Sequence, residues 1–151
     1  MFLGKYSRTL DATSSFSVPP SFMGPLYGGA YLTQGFDRNL QVLTADAFRE
    51  IYRAVISLNI TNPLARLLLR LVLGSAQALG VDASGQFTIP EELKQFANLN
   101  NEIFLVGQGE YFEIWAPELW GQQEIQLRDA EANASRFSAL AISVRSSTVA
   151  G

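Results

Sequence analysis

The sequence contains no cysteine and no histidine. Disulfides and thiol chemistry are excluded. With histidine gone, so are the commonest metal ligand and the usual base that activates a nucleophile. The carboxylates form no cluster beyond the first turns of helices, and Glu110 and Glu113, flanking Tyr111-Phe112, read as exposed strand positions. Gly107-Gln-Gly109 is too short for a phosphate loop and lacks the helix that should follow one. No enzyme, cofactor, metal or small-molecule substrate is therefore expected. Long apolar runs are also missing. The longest, Leu64 to Leu79, carries Arg66 and Arg70 and falls short of the roughly 20 residues that cross a bilayer. Met1 to Arg8 has no run of signal-peptide length. The expectation is a soluble, cytoplasmic protein without membrane contact.

What the chain does contain is a repeat. Asp11-Ala-Thr-Ser-Ser-Phe-Ser-Val-Pro19 returns as Asp82-Ala-Ser-Gly-Gln-Phe-Thr-Ile-Pro90, with Thr/Ser, Ser/Thr and Val/Ile among the replacements. The likeness continues downstream: Tyr31-Leu32 answers Phe104-Leu105, and Leu40-Gln-Val-Leu43 answers Phe112-Glu-Ile-Trp115. Two tandem units are expected, residues 1–75 and 76–151. Each is about seventy residues and too small to bury much surface alone, so they should pack together or on other chains. A composition that is 48% hydrophobic and 17% charged leaves apolar surface for such association.

The nonapeptide has a mechanical reading. An Asp before small polar residues bonds its own backbone two residues on and starts a turn, and Phe16-Ser17-Val18 and Phe87-Thr88-Ile89 alternate as half-buried strands do. Each unit should open with a strand, a tight turn and a strand, giving hairpins over residues 1–19 and around Asp82 to Pro90. Pro90 with Glu91 and Glu92 begins a short helix to Ala97, and Pro19-Pro20-Ser21-Phe22 is a weaker version of the same start. Gly24 to Gly29 reads as a loop. Two strands follow in Ala30 to Leu43, broken at Gly35 to Asn39.

From Thr44, a candidate N-cap, the positions Phe48, Ile51, Tyr52, Val55 and Ile56 keep helical spacing to about Leu58. Pro63 starts a second helix to Gly74, whose face of Leu64, Leu67, Leu68, Leu71 and Val72, extended by Leu69 and Leu73, should be mostly buried, within the chain or between subunits. Its Arg66 and Arg70 share one side, as a solvated edge or as a ligand site. In the second unit, strands are expected at Ile103 to Val106 and Tyr111 to Trp115, with a helix from Pro117. A last helix should carry Phe137, Leu140, Ala141 and Val144 on one face and fray into residues 146–151. The overall class is α+β, rich in β.

The net charge of −3 is unevenly placed. Residues 1–75 hold Lys5, Arg8, Arg38, Arg49, Arg53, Arg66 and Arg70 against Asp11, Asp37, Asp46 and Glu50, a balance of +3. The remainder stands at −6. A polyanion should meet the first half.

With these landmarks placed, the chain resembles the MraZ family, bacterial proteins built from two domains similar to the AbrB swapped-hairpin type. The likeness runs from Met1-Phe-Leu-Gly4, Leu10-Asp11 and Val18-Pro19 through Asn62-Pro63, Arg66, Arg70 and Leu73-Gly-Ser-Ala76 to Leu105-Val-Gly107 and Phe112-Glu-Ile-Trp115. The resemblance implies two pseudo-symmetric β-barrel-type units with flanking helices in a ring-forming homo-oligomer. It also implies a nucleoid-associated transcriptional regulator of the division and cell-wall gene cluster that binds double-stranded DNA. The family motif is similar to Asp-x-x-Gly-Arg, whose arginine is presented to DNA. Here Ser15 and Gln86 stand at the arginine positions, and Ser14 replaces the first glycine. Neither can supply the charge or the planar fork of arginine.

The expected contacts are then Lys5 and Arg8 to phosphate, Thr13, Ser14 and Ser15 as donors at the turn tip, and Gln86 as a neutral contact. On the residues alone, Lys5 and Arg8 read as ordinary solvated charges on a strand, and it is the resemblance that makes them candidate contacts. The alternative function is a ring-forming structural or interaction protein that has lost DNA recognition.

Overall fold

The computed structural model describes residues 1–80 and 82–140. A compact body spans Met1–Leu119, and a second unit begins at Trp120. In chain order the elements are β1 (Lys5–Thr9), β2 (Ser15–Ser17), α1 (Pro20–Leu26), β3 (Ala30–Gln34), β4 (Leu40–Thr44), α2 (Ala45–Ile56) and α3 (Pro63–Ser75). They continue with β5 (Gln77–Leu79), β6 (Gln86–Thr88), α4 (Glu91–Phe96), β7 (Glu102–Gly107), β8 (Tyr111–Trp115), α5 (Pro117–Arg128) and α6 (Ala130–Ser138). Helices and antiparallel strands make this an α+β fold, as the sequence leads one to expect.

The strands of the two repeats interleave. One sheet runs β1-β7-β8-β4-β3-β5, and a separate ribbon pairs β2 with β6. β1 therefore does not form a hairpin with β2, and the expected local hairpins are corrected: the turn at Asp11 is made, but each strand beside it takes a partner from the other repeat. Arg8 pairs in register with Ile103, and Phe16 with Phe87. The physical reason is burial. Phe16 and Phe87 stack at 5.8 Å between centroids, and both are almost wholly buried in a core shared by the two repeats. In that core Phe2, Phe22 and Phe112 meet edge-on or tilted at 5.0–5.2 Å.

Local chemistry places the helices. Thr44 Oγ1 accepts from the Ala47 N–H at 3.1 Å, capping α2, and Asn62 Oδ1 accepts from Leu64 N–H ahead of Pro63 in α3. α1 runs through Gly24-Pro25, so the expected loop over Gly24 to Gly29 starts only after Leu26. Phe22 and Leu26, four residues apart, both reach the core and hold that short turn of helix in place.

α3 is covered only in part within the chain. Ala65 and Val72 are its buried residues, whereas Leu64 and Leu67 are 72% and 61% exposed. The helix is turned so that its expected face is only partly covered within one chain. In the unit from Trp120, Asp129 caps α6 and Asn133 Nδ2 donates to the carbonyls of Gln126 and Leu127. α6 ends at Ser138 with Phe137 and Leu140 exposed. Ala141, Val144 and the tail lie outside the described residues.

Glu113 also departs from expectation. It is partly buried and accepts from Asn39 Nδ2 at 2.9 Å, Trp115 Nε1 at 3.0 Å and Gln108 Nε2 at 3.1 Å. Burial pushes its carboxyl up, with the three N–H donors pulling the other way. Asn39, fully buried at the foot of β4, positions this acid, so the role is structural. Glu110 is exposed as expected.

Candidate nucleic-acid interface

The two copies of the motif turn meet on the β2–β6 ribbon. In the first, Asp11 Oδ1 accepts from Thr13 N–H at 2.8 Å, Thr13 Oγ1 at 2.7 Å and Ser15 N–H at 2.9 Å. In the second, Asp82 Oδ1 accepts from Ser84 N–H at 2.9 Å, Ser84 Oγ at 2.6 Å and Gln86 N–H at 2.9 Å. These are the Asx turns that the nonapeptide spells. The Thr13 hydroxyl and turn N–H groups hold the Asp11 carboxyl below the usual carboxylate range, and the Ser84 hydroxyl does the same for Asp82. Ser14 and Gly85 occupy equivalent left-handed positions, φ 60° and 79°. That backbone suits glycine best, and Ser14 holds it within a turn closed by the Ser14 N–H to Asp11 carbonyl bond.

The turns are stitched to one another. Ile89 N–H donates to the Ser14 carbonyl and Val18 N–H to the Gly85 carbonyl, each at 2.9 Å. Ser15 is only 7% exposed, and its hydroxyl lies 2.6 Å from Thr88 Oγ1 and 3.0 Å from Thr13 Oγ1. It is a ribbon residue rather than a surface turn residue, because β2 starts here and faces β6. Gln86 remains partly open and donates through Nε2 to Ser17 Oγ at 2.8 Å.

Arg8 stands beside the same ribbon. Its Nε donates to the Ser17 carbonyl at 2.9 Å and Nη1 to the Ser7 carbonyl, with the guanidinium 5.6 Å from the Tyr6 ring centre. Lys5, three residues earlier on β1, falls on the opposite face of the strand and lies 5.5 Å from the Phe104 ring centre. The fold thus gathers Arg8, Thr13, Ser14, Ser15 and Gln86 around one ribbon and leaves Lys5 on the other side of the sheet edge.

Sequence reasoning missed Lys94. From α4 its Nζ donates to Ser14 Oγ at 3.0 Å. The signal was available only through the repeat, since Lys94 answers Met23 as Gly85 answers Ser14. Arg66 folds back on the Ile60 and Thr61 carbonyls at 2.9 and 3.2 Å, which favours the structural reading of that residue.

The sequence also has recognisable relatives. Residues 72–140 match the family model described as "MraZ protein, putative antitoxin-like". A protein of Herpetosiphon aurantiacus named transcriptional regulator MraZ is 38% identical over 120 residues, covering 80% of this chain and 84% of that protein. Proteins of the same name from Roseiflexus sp. and Thermomicrobium roseum are 36% and 33% identical over 137 and 141 residues. These alignments take in 91% and 93% of this chain, and 94% and 99% of the relatives. With relatives this similar along most of their length, the chain belongs to the MraZ family.

Proposed function

We propose that this protein is a DNA-binding transcriptional regulator, cytoplasmic and nucleoid-associated, which works as a ring-shaped homo-oligomer of two-repeat chains (1–75 and 76–151) on the division and cell-wall gene cluster. The observation that carries the reading is the β2–β6 ribbon, which brings the motif turns of both repeats onto one surface element. Relatives bearing the regulator name across most of their length support it over a member that has lost DNA recognition.

Within that reading the contacts divide by chemistry. Arg8 reaches phosphate from the side of the ribbon, the Thr13 hydroxyl and Gln86 amide offer neutral contacts, and Lys5 adds long-range attraction from the opposite face. Ser14 and Ser15 serve chiefly by shaping the turn. With both motif arginines replaced, fewer phosphates are neutralised, so binding is modest and its salt dependence is shallower than the arginines would give.

Anisotropy of labelled duplex DNA from upstream of the protein's own gene, titrated at two salt concentrations, tests this. Arg8→Ala is expected to weaken binding and flatten the salt dependence by about 0.9 per lost phosphate contact. Absence of binding by the unaltered protein at low salt would remove the regulator reading. Tight binding that an Arg8→Ala, Lys5→Ala double variant leaves untouched would move the interface to another face, such as that of Arg70.

A further inference from the structure

A single offset takes Asp11 to Asp82, Ser14 to Gly85 and Phe16 to Phe87, and it also takes Met23 on α1 to Lys94 on α4. Each of these last two side chains reaches the motif turn of the other repeat. The Met23 sulfur sits over Gly85, 3.2 Å from where a Cβ would stand. The Lys94 ammonium sits over Ser14, 3.0 Å from its hydroxyl. The pseudo-symmetry of the ribbon is therefore broken chemically, with a thioether over one turn and a cation over the other.

We propose that Lys94 is the phosphate-binding cation of the first motif turn, contributed by the second repeat, so that the two turns meet DNA unequally. This rests on the DNA-binding reading and names a residue for it. The first turn lacks a cation of its own, since Ser15 occupies the arginine position and is buried against Thr88. Lys94 supplies one across the repeat boundary. An ammonium has three N–H donors, and the Ser14 hydroxyl takes one.

Among the described residues no carboxylate lies within ion-pair distance of Lys94. Asp11, the acid of that turn, is already engaged by Thr13 and Ser15. Lys94 is partly buried and its ammonium is anchored on Ser14, so less side-chain freedom is lost when a phosphate arrives. Ser14, which replaces the motif glycine, is the residue that provides the anchor. The two departures from the motif in the first repeat thus act together: one removes a cation and the other holds a substitute.

The test uses the full chain and the same upstream duplex, comparing the unaltered protein with Lys94→Gln, Lys94→Arg and Met23→Lys at several salt concentrations. Lys94→Gln retains an N–H donor for Ser14 and removes only the charge, so a purely structural lysine would leave binding unmoved. The expectation is a salt slope lower by about 0.9 per bound chain for Lys94→Gln, restored by Lys94→Arg, and higher by a similar amount for Met23→Lys, which places a cation over the second turn.

Thermal melting of each variant separates loss of charge from loss of fold. If Lys94→Gln melts early, the Lys94→Arg and Met23→Lys slopes decide, and a Met23→Lys slope equal to the unaltered one overturns the proposal. Unaltered protein that binds DNA while Lys94→Gln binds it with the same affinity and slope also overturns the assignment and leaves the regulator reading standing. No binding by any form at low salt overturns both.

Discussion

Asp11 and Asp82 each commit one carboxylate oxygen to the backbone and hydroxyl of their own turn. Both carboxyls titrate below their ordinary value of 3.8, so each contributes stability that is present above that value and lost as pH falls through the lowered one. Asp11→Ala and Asp82→Ala should therefore melt earlier than the unaltered protein at neutral pH. The gap should narrow on acidification below the ordinary carboxylate range, as differential scanning fluorimetry across pH would show; a gap constant with pH would refute the linkage.

Gly107 is a second residue under tight constraint, for a different reason. A Cβ there would stand 2.5–2.6 Å from the Phe2 and Leu3 backbone, where Gly107 N–H bonds the Gly4 carbonyl. Gly107→Ala should cost roughly 1–3 kcal/mol, the range of overpacking, measured by urea unfolding. The aspartate role was legible from sequence because an Asx turn is local. That of Gly107 was not, since the chain it abuts lies a hundred positions away.

At the scale of elements, the β2–β6 ribbon depends on the stacked pair Phe16 and Phe87 rather than on its few ladder bonds. Truncating either ring leaves a cavity in the common core, and Phe87→Ala should lose about 3–5 kcal/mol by denaturant titration. A loss no larger than for an exposed site would mean that the ribbon is held otherwise. Element type and position followed well from the sequence, because the signals are short-range: Thr44 before α2, Pro63 at the head of α3, Pro90-Glu91-Glu92 at α4 and alternation in β8.

Partnership did not follow. Alternation in Phe16-Ser17-Val18 says that one face is buried and leaves open which strand covers it, so the neighbouring β1 was the natural choice and the wrong one. The same gap hid the Lys94–Ser14 contact and the burial of Ser15, each made by a residue of the other repeat. The start of α1 at Pro20 was legible, but its run through Gly24-Pro25 was not, because that pair reads as a break and only the spacing of Phe22 and Leu26 argues against it.

For the molecule as a whole, interleaving of first-repeat and second-repeat strands should make the body of residues 1–119 one cooperative structure. Fragments cut between Ser57 and Asn62 should not fold separately, as each loses the partners of its strands. Circular dichroism of the isolated halves and a single calorimetric transition for the joined body would bear this out. Two independent transitions within that body would refute it. The exposed Leu64 and Leu67 of α3, with Tyr52, Ile56 and Ile60 also uncovered, give the proposed assembly apolar surface to bury. Light scattering should report a species larger than one chain, and Leu67→Glu should shrink it; a monomeric unaltered protein would end that proposal.

The edge position of β1 has a further consequence during synthesis. β1 is finished by Thr9, yet its partner β7 begins at Glu102. At about 5–20 residues per second the ribosome needs roughly 5–20 s to make the intervening chain. Throughout that interval the nascent N-terminus holds an unpaired strand and an uncovered Phe16, open to chaperones and to neighbouring chains on the same message. Where translation stalls between the repeats, the first complete β7 that β1 meets can belong to another copy, so exchange of strands between copies is the misassembly to expect of this topology.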